Sequence, residues 1–480
     1  MRARAVMGAI VLAAVSMTGC SGGGGGTHGG GKNGAVDPLH PAKPLAKLSV
    51  PAAYDAAKGW DETLNWVPGS VGSLPVTVAP RTGAVALMYV ASNGYTIKAR
   101  AADTSQVRWT SAPWQAPMPL EGAAGDPAEG KAAEIPDVTV VEQDGHEYVV
   151  AYAHGIRGKD DLHRGTEVVR FAVYPADATG TSVKPLRQID IPVTADPGEV
   201  HVSTTGGQVL VGWGDEGAYP DASAAVDVAT GRTVTYDNAD SLLPQCAQAD
   251  VCSGSRVMAA TADGPLVEMG DGGFGMPGRW FSDAVRPSGV AARTGFLQNW
   301  NGTAYGAADG HLLAGWRTAD KDGSETDPVW SVHDLRTGRL QTSMTCGYDL
   351  GGGINDSNYG AKREYPVVTS PDGRYLAAGP VVFDLRKKKG ICLAGDDDRK
   401  SIAISSIRDD GTAYGAVQGD SAATDTDPVI AQVDLTAGAD SAKVQGMGVD
   451  APYVTSVKGS GLFLGRDHDE NLRISLRRER

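Results

Sequence analysis

Two histidines and two aspartates fall within one short stretch, His154, Asp160, Asp161 and His163, the residue types that hold a divalent metal when a loop folds them around it. A solvated charged loop explains the same stretch. His146-Glu147 opens a zinc-protease signature, but the position that must carry the second histidine is Val150, so the pair of ligands is incomplete. The body of the chain contains neither a G-x-S-x-G nucleophile elbow nor a Walker-type phosphate loop. No catalytic residue emerges from a linear motif.

Acidic residues supply the stronger signal. Asp215, Glu216, Asp221, Asp320, Asp322, Asp327, Asp420, Asp425 and Asp427 occur in three stretches of similar placement, each between two apolar runs. With the corresponding stretches at 154–165, 270–277 and 466–471, they carry a net charge of -10. Gathered on one rim, these charges would repel one another and form a face for a basic partner or a divalent cation. Calcium suits hard oxygen ligands, and no His-Cys cluster competes with it. None of the stretches matches the Asp-x-Asp-x-Asp-Gly calcium loop, because Gly323 follows Asp320 and Asp322 too early. Acidic loops that only keep the protein in solution explain the same pattern.

The elements that would position these stretches recur along the chain. Thr326-Asp327-Pro328-Val329 returns as Thr426-Asp427-Pro428-Val429, each followed by Asp-Leu (Asp334, Asp434) and then Gly (Gly338, Gly438). Midway stand Asp384-Leu385 and Gly390, and the same pattern is read backward at Asp283 with Gly289, Asp227 with Gly231 and Asp177 with Gly180. A second turn precedes each such strand, clearest in Ser370-Pro371-Asp372-Gly373, where Asp-Gly favours a hairpin. Each unit of roughly fifty residues thus holds four short antiparallel strands, one blade of a propeller.

Ser370 to Ala378 and Asp334 to Arg339 resemble WD-repeat-like and quinoprotein-like propeller repeats, a resemblance that covers about residue 70 onward and marks architecture only. The fold class expected is all-β, a β-propeller of eight blades, alternatively seven. Blades should start near residues 74, 137, 199, 255, 302, 366, 402 and 452. The last has room for three strands, and a strand from the N-terminal side, around Glu62 to Val67, would complete it and cover its edge. Gly302 to Ala307 and Gly411 to Ala416 are both GTAYGA at an offset that does not fit the repeat, so a loop length or a strand assignment must differ between those blades. Trp213 and Trp316 occupy matching positions and are expected to pack between blades. Two activities that this architecture hosts elsewhere find no support. The sialidase Asp-box would need Gly where Arg374 stands, and the adjacent cysteines of quinone-dependent dehydrogenases are missing.

The N-terminus reads as an export signal. Arg2 and Arg4 precede an apolar run, then Met17-Thr18-Gly19-Cys20, which resembles the bacterial lipobox with Met where Leu is usual. The resemblance implies a signal peptide over 1–19, lipidation of Cys20 and anchoring by two acyl chains. Ser21 to Gly34 is glycine-rich and, with the proline-containing stretch that follows, gives a flexible tether over 20–51 and a propeller over 52–480. The Gly, Ala and Asp bias resembles that of high-GC actinobacteria, whose lipoproteins sit on the outer face of the cytoplasmic membrane.

Four further cysteines, Cys246, Cys252, Cys346 and Cys392, form an even set in a compartment that permits disulfides. Cys246 and Cys252 are close enough for a local bridge, leaving Cys346 for Cys392. No C-x-x-C spacing supports zinc. A formal net charge of -14 without a segregated basic face argues against nucleic acid. The function expected is a non-enzymatic binding or scaffold lipoprotein that holds an envelope protein, peptide or glycan on a propeller face. The alternative is a hydrolase or lyase whose carboxylates converge on the central channel.

Overall fold

The computed structural model describes residues 47–126, 131–214, 222–243, 256–269, 272–290, 302–319, 324–348, 367–418, 429–446 and 448–480. They form eight sheets, antiparallel but for one added strand, arranged as the blades of a β-propeller. Blade 1 is Val76–Ala79, Ala84–Ala91, Gly94–Ala101 and Val107–Ser111, and blade 2 is Asp137–Gln143, His146–Arg157, Thr166–Pro175 and Arg187–Pro192. Blades 3 to 7 begin with Ile-, Val- or Ala-containing first strands at His201, Arg256, Thr303, Val368 and Ile402. In blade 8, Ser460–Arg466 and Leu472–Glu479 are joined by Tyr54–Leu64, which pairs antiparallel with Leu472–Glu479 from Tyr54↔Glu479 to Leu64↔Leu472. A bridge between Val454 and Leu462 marks its inner edge. The strand from the N-terminal side therefore begins earlier than the expected Glu62.

Alternation along each strand explains why the sheets stack. Leu312, Ala314 and Trp316 pack against blade 4, whereas Leu313, between them, packs against blade 6. The buried apolar residues divide in this way into eight clusters, one per seam. The one shared by blades 1 and 2 contains Trp109, Ala151 and Tyr174, and the one shared by blades 8 and 1 contains Trp60, Leu476 and Val85. Trp316 is fully buried, as a packing residue should be, and Trp213 packs at the edge of the seam between blades 2 and 3.

The Asp-to-Gly repeat is a turn held by its own side chain. Asp334 accepts the Thr337 N–H through Oδ1 at 2.8 Å while its carbonyl accepts the Gly338 N–H, and Asp227 and Asp434 do the same for their turns. Two proposed members of the series differ. Asp283 lies in a short 3-10 turn after the outer strand Trp280–Phe281 of blade 4, beyond the turn the repeat describes. After Asp177, the chain of blade 2 makes a detour: Gly180–Val183 pairs in parallel with Val107–Ser111 and gives blade 1 a fifth strand. The GTAYGA offset comes from strand assignment, since Thr303–Ala308 is a first strand and Thr412–Val417 a second.

Cys346, one residue past Leu340–Thr345 of blade 5, is bonded to Cys392, the end of Lys389–Cys392 in blade 6. Cys20, Cys246 and Cys252 lie outside the described residues. Part of the expected tether belongs to the body: Leu48 and Val50 pack on the Tyr54, Tyr414 and Phe463 cluster between blades 7 and 8.

Candidate functional site

Antiparallel succession sends every connection between second and third strands to one face, together with the connectors between blades. This is the loop face. It contains a cavity of about 350 Å³ at the seam of blades 1 and 2. Asn93, Gly94 and Tyr95 line it from the turn of blade 1, and Ala153 and His154 from the second strand of blade 2. Its wall is the connector between the blades, with Gln115, Met118 and Glu134 among the lining residues.

That connector is tied down on both sides. Tyr95 and Trp114 exchange backbone hydrogen bonds at 2.8 and 2.7 Å, and Met118 and Ile156 at 2.9 and 2.7 Å. Glycine is required where the chains cross so closely: a Cβ on Gly94 or on Gly155 would stand 2.3 Å from the carbonyl oxygen of Trp114 or Met118. Pro117, Pro119 and Pro136 restrict the connector further and make the wall apolar. Tyr95 is braced between Trp66 and Trp114, with ring centroids 5.6 and 6.4 Å away.

The polar floor centres on His154, whose side chain is only 2% exposed. Its Nδ1 lies 3.1 Å from Glu134 Oε1 and its Nε2 lies 2.9 Å from Glu167 Oε1. Only an imidazolium can donate from both nitrogens. Burial disfavours that charge, but the hydrogen bonds to Glu134 and Glu167 outweigh it, and the His154 pKa is raised. Each glutamate also accepts a backbone N–H from the next connector, Glu167 from Ala195 at 2.8 Å and Glu134 from Gly198 at 3.2 Å. Beside them Tyr152 donates to Asp137 Oδ2 at 2.7 Å; burial, then the Asp137 charge, pushes this phenol well above its ordinary range. Farther out, Arg170 and Arg157 are both paired with Asp190.

The residues singled out from sequence are thus distributed differently from the metal-loop expectation. His163 stays exposed and bonds Asp160 at 2.8 Å, while His154 turns away into the seam. Glu134 and Glu167 oppose each other across His154 rather than across the central channel. They were missed because they stand 20 and 13 residues from it, Glu134 brought in by the blade-to-blade connector and Glu167 by the pairing of the second and third strands of blade 2.

Of the acidic-face residues, Asp215, Glu216, Asp221, Asp320, Asp322, Asp420, Asp425 and Asp427 lie outside the described residues. Asp327 is described, in Glu325–Asp334 of blade 5, where its carbonyl accepts a hydrogen bond from Thr318. The register partners Trp213↔Ala222 flank one of the stretches and lie at the loop face. Among the described residues, the group of carboxylates and histidine close enough to share an ion is Asp467, His468 and Asp469 in the loop of blade 8. There Asp467 is occupied as a turn cap, accepting the Asn471 and Asp469 N–H groups at 3.0 Å.

No protein-family model matches the chain, and no curated protein matches it. Solved propeller structures do resemble it. The Dos1 propeller covers 88% of this chain and 95% of its own, at 11% identity and a TM-score of 0.35. A polysaccharide lyase, an ulvan lyase, covers 89% and 96% at 12% identity and a TM-score of 0.37. TolB from Acinetobacter baumannii covers 82% and 79% at 12% identity and a TM-score of 0.25. The likeness is one of fold. It assigns no ligand and no activity.

Proposed function

We propose that this protein is an extracytoplasmic binding or scaffold lipoprotein, anchored through Cys20, whose propeller holds an envelope protein, peptide or glycan at the cavity between blades 1 and 2. The cavity carries the reading: it joins an apolar wall with a small set of convergent polar groups, the composition of a ligand site. Both ring nitrogens of His154 are taken by carboxylates, so neither is directed at a substrate, and this favours holding a ligand over transforming one. The placement of the N-terminal chain supports the anchoring. The Ser49 carbonyl accepts the Asp450 N–H, on the connector to blade 8, at the loop face. Residues 20–48, read from their composition as a tether, would span roughly 30 Å between a lipidated Cys20 and that point.

Mild cross-linking in the native envelope, followed by purification, tests this reading. Met118 lines the cavity and is 47% exposed, so Met118→Glu introduces a charge there. The partner recovered with the wild type should be lost with the variant. Recovery of the same partner in equal yield would contradict the cavity as the site.

A further inference from the structure

His154 joins three chain segments through one ring. Glu134 belongs to the connector that forms the cavity wall, Glu167 to the third strand of blade 2, and the N–H groups of Ala195 and Gly198 to the connector leading to blade 3. Two carboxylates 3.1 and 2.9 Å from the two ring nitrogens require two N–H donors. A neutral imidazole has one; kept on Nε2 toward the nearer Glu167, at 2.9 Å against 3.1 Å for Glu134, it leaves Nδ1 presenting a lone pair to Glu134. At that point the wall loses a charge-assisted hydrogen bond and gains a repulsion.

We propose that His154 is a proton-controlled latch on this cavity: charged, it holds the connector wall against blade 2, and neutral, it releases Glu134 and lets the wall open. The proposal rests on the cavity being the ligand site and supplies its regulation. The charged and titratable groups around the ring act together. Glu134 and Glu167 face it directly, from the connector and from the third strand. Asp137, with Tyr152, stands behind Glu134 on the first and second strands. Arg157 and Arg170 are engaged by Asp190 on the outer strand. Among the described residues, the polar groups that blade 1 and the start of the connector bring to the cavity are Asn93, Tyr95 and Gln115.

The sign follows from linkage. The folded-state pKa of His154 is raised, so the latch is fully engaged below the unfolded value of about 6.5 and is lost as pH rises through the raised value. A site outside the cytoplasm meets the ambient pH directly, and the cavity would hold its ligand firmly in acid and exchange it more readily in alkali.

Hydrogen exchange on the ligand-free protein tests the latch, read at residues 115–126 and 131–136 between pH 5.5 and 8.5 and corrected for intrinsic exchange. Wild-type protection should fall several-fold as pH rises through the raised His154 pKa. In Glu134→Gln, the amide can donate to the neutral ring while Nε2–H still serves Glu167, so protection should stay flat. If Glu134→Gln does not fold, Glu167→Gln makes the same test at the other nitrogen. A flat wild-type profile, or a variant profile as steep as the wild type, would overturn the latch. No ligand takes part, so this failure leaves the cavity reading standing, and a failed partner capture leaves the latch standing.

Discussion

Arg477, near the C-terminus, donates from Nη2 to both carboxylate oxygens of Asp61, in the strand from the N-terminal side, at 2.9 and 3.2 Å. The guanidinium is fully buried, and its Nη1 reaches the carbonyls of Trp60 and Leu476. The two ends of the described chain are therefore joined by an ion pair inside the sheet of blade 8. Asp61→Ala would remove the carboxylate that this buried guanidinium bonds through Nη2 and should cost about 3–5 kcal/mol. Denaturant unfolding of the two proteins measures the difference; a loss below about 1 kcal/mol would show that the strand is held by its apolar residues alone.

The Cys346–Cys392 bridge crosses the seam of blades 5 and 6 at their outer strands, 46 residues apart in sequence. Cys392→Ser should lower stability by about 2–4 kcal/mol, and adding Cys346→Ser should lower it little further, because the crosslink acts as one unit. Additive losses would mean that each side chain matters for packing instead.

Much of the fold was legible because its repeating device is local. An aspartate that caps its own turn leaves the same spacing wherever it occurs, as at Asp227, Asp334 and Asp434, and hydrophobic alternation between such turns needs no distant partner. The series misled at Asp283 and Asp177, where an aspartate of the right spacing serves a different turn or a detour into the neighbouring blade. The site was less legible. His154 was visible beside His163, but sequence proximity suggested a shared loop, while burial carried its ring to Glu134 and Glu167. The meeting with Glu134 depends on the path of a connector that has no periodicity of its own, and that with Glu167 on the pairing of the second and third strands of blade 2.

His154 and His333 should titrate in opposite directions. Burial in the seam of blades 4 and 5 lowers the His333 pKa, against the opposing hydrogen bond to the Gly338 carbonyl at 2.9 Å. Its Nε2 faces the Ser331 hydroxyl, which also accepts from Trp316 Nε1 at 2.6 Å. His333 therefore contributes stability above about pH 6.5 that is lost on acidification, and His154 contributes stability below about pH 6.5 that is lost in alkali. Imidazole resonances followed by NMR should place one titration on each side of that value. Both falling on the same side would contradict the two environments.

Replacing Cys20 by Ser should move the protein from the membrane fraction to the soluble fraction, since the acyl chains are the anchor proposed. A variant that remains membrane-bound, with a wild type that carries no lipid by mass spectrometry, would refute the lipoprotein reading.

The most direct measurement is site-specific photo-cross-linking in the native envelope from a photoreactive residue at Met118, at the cavity mouth, compared with one at Val234, 38% exposed on the outer strand of blade 3. The account predicts a discrete adduct from position 118 that position 234 does not give. Adducts of equal yield from both positions, or from 234 alone, would contradict it.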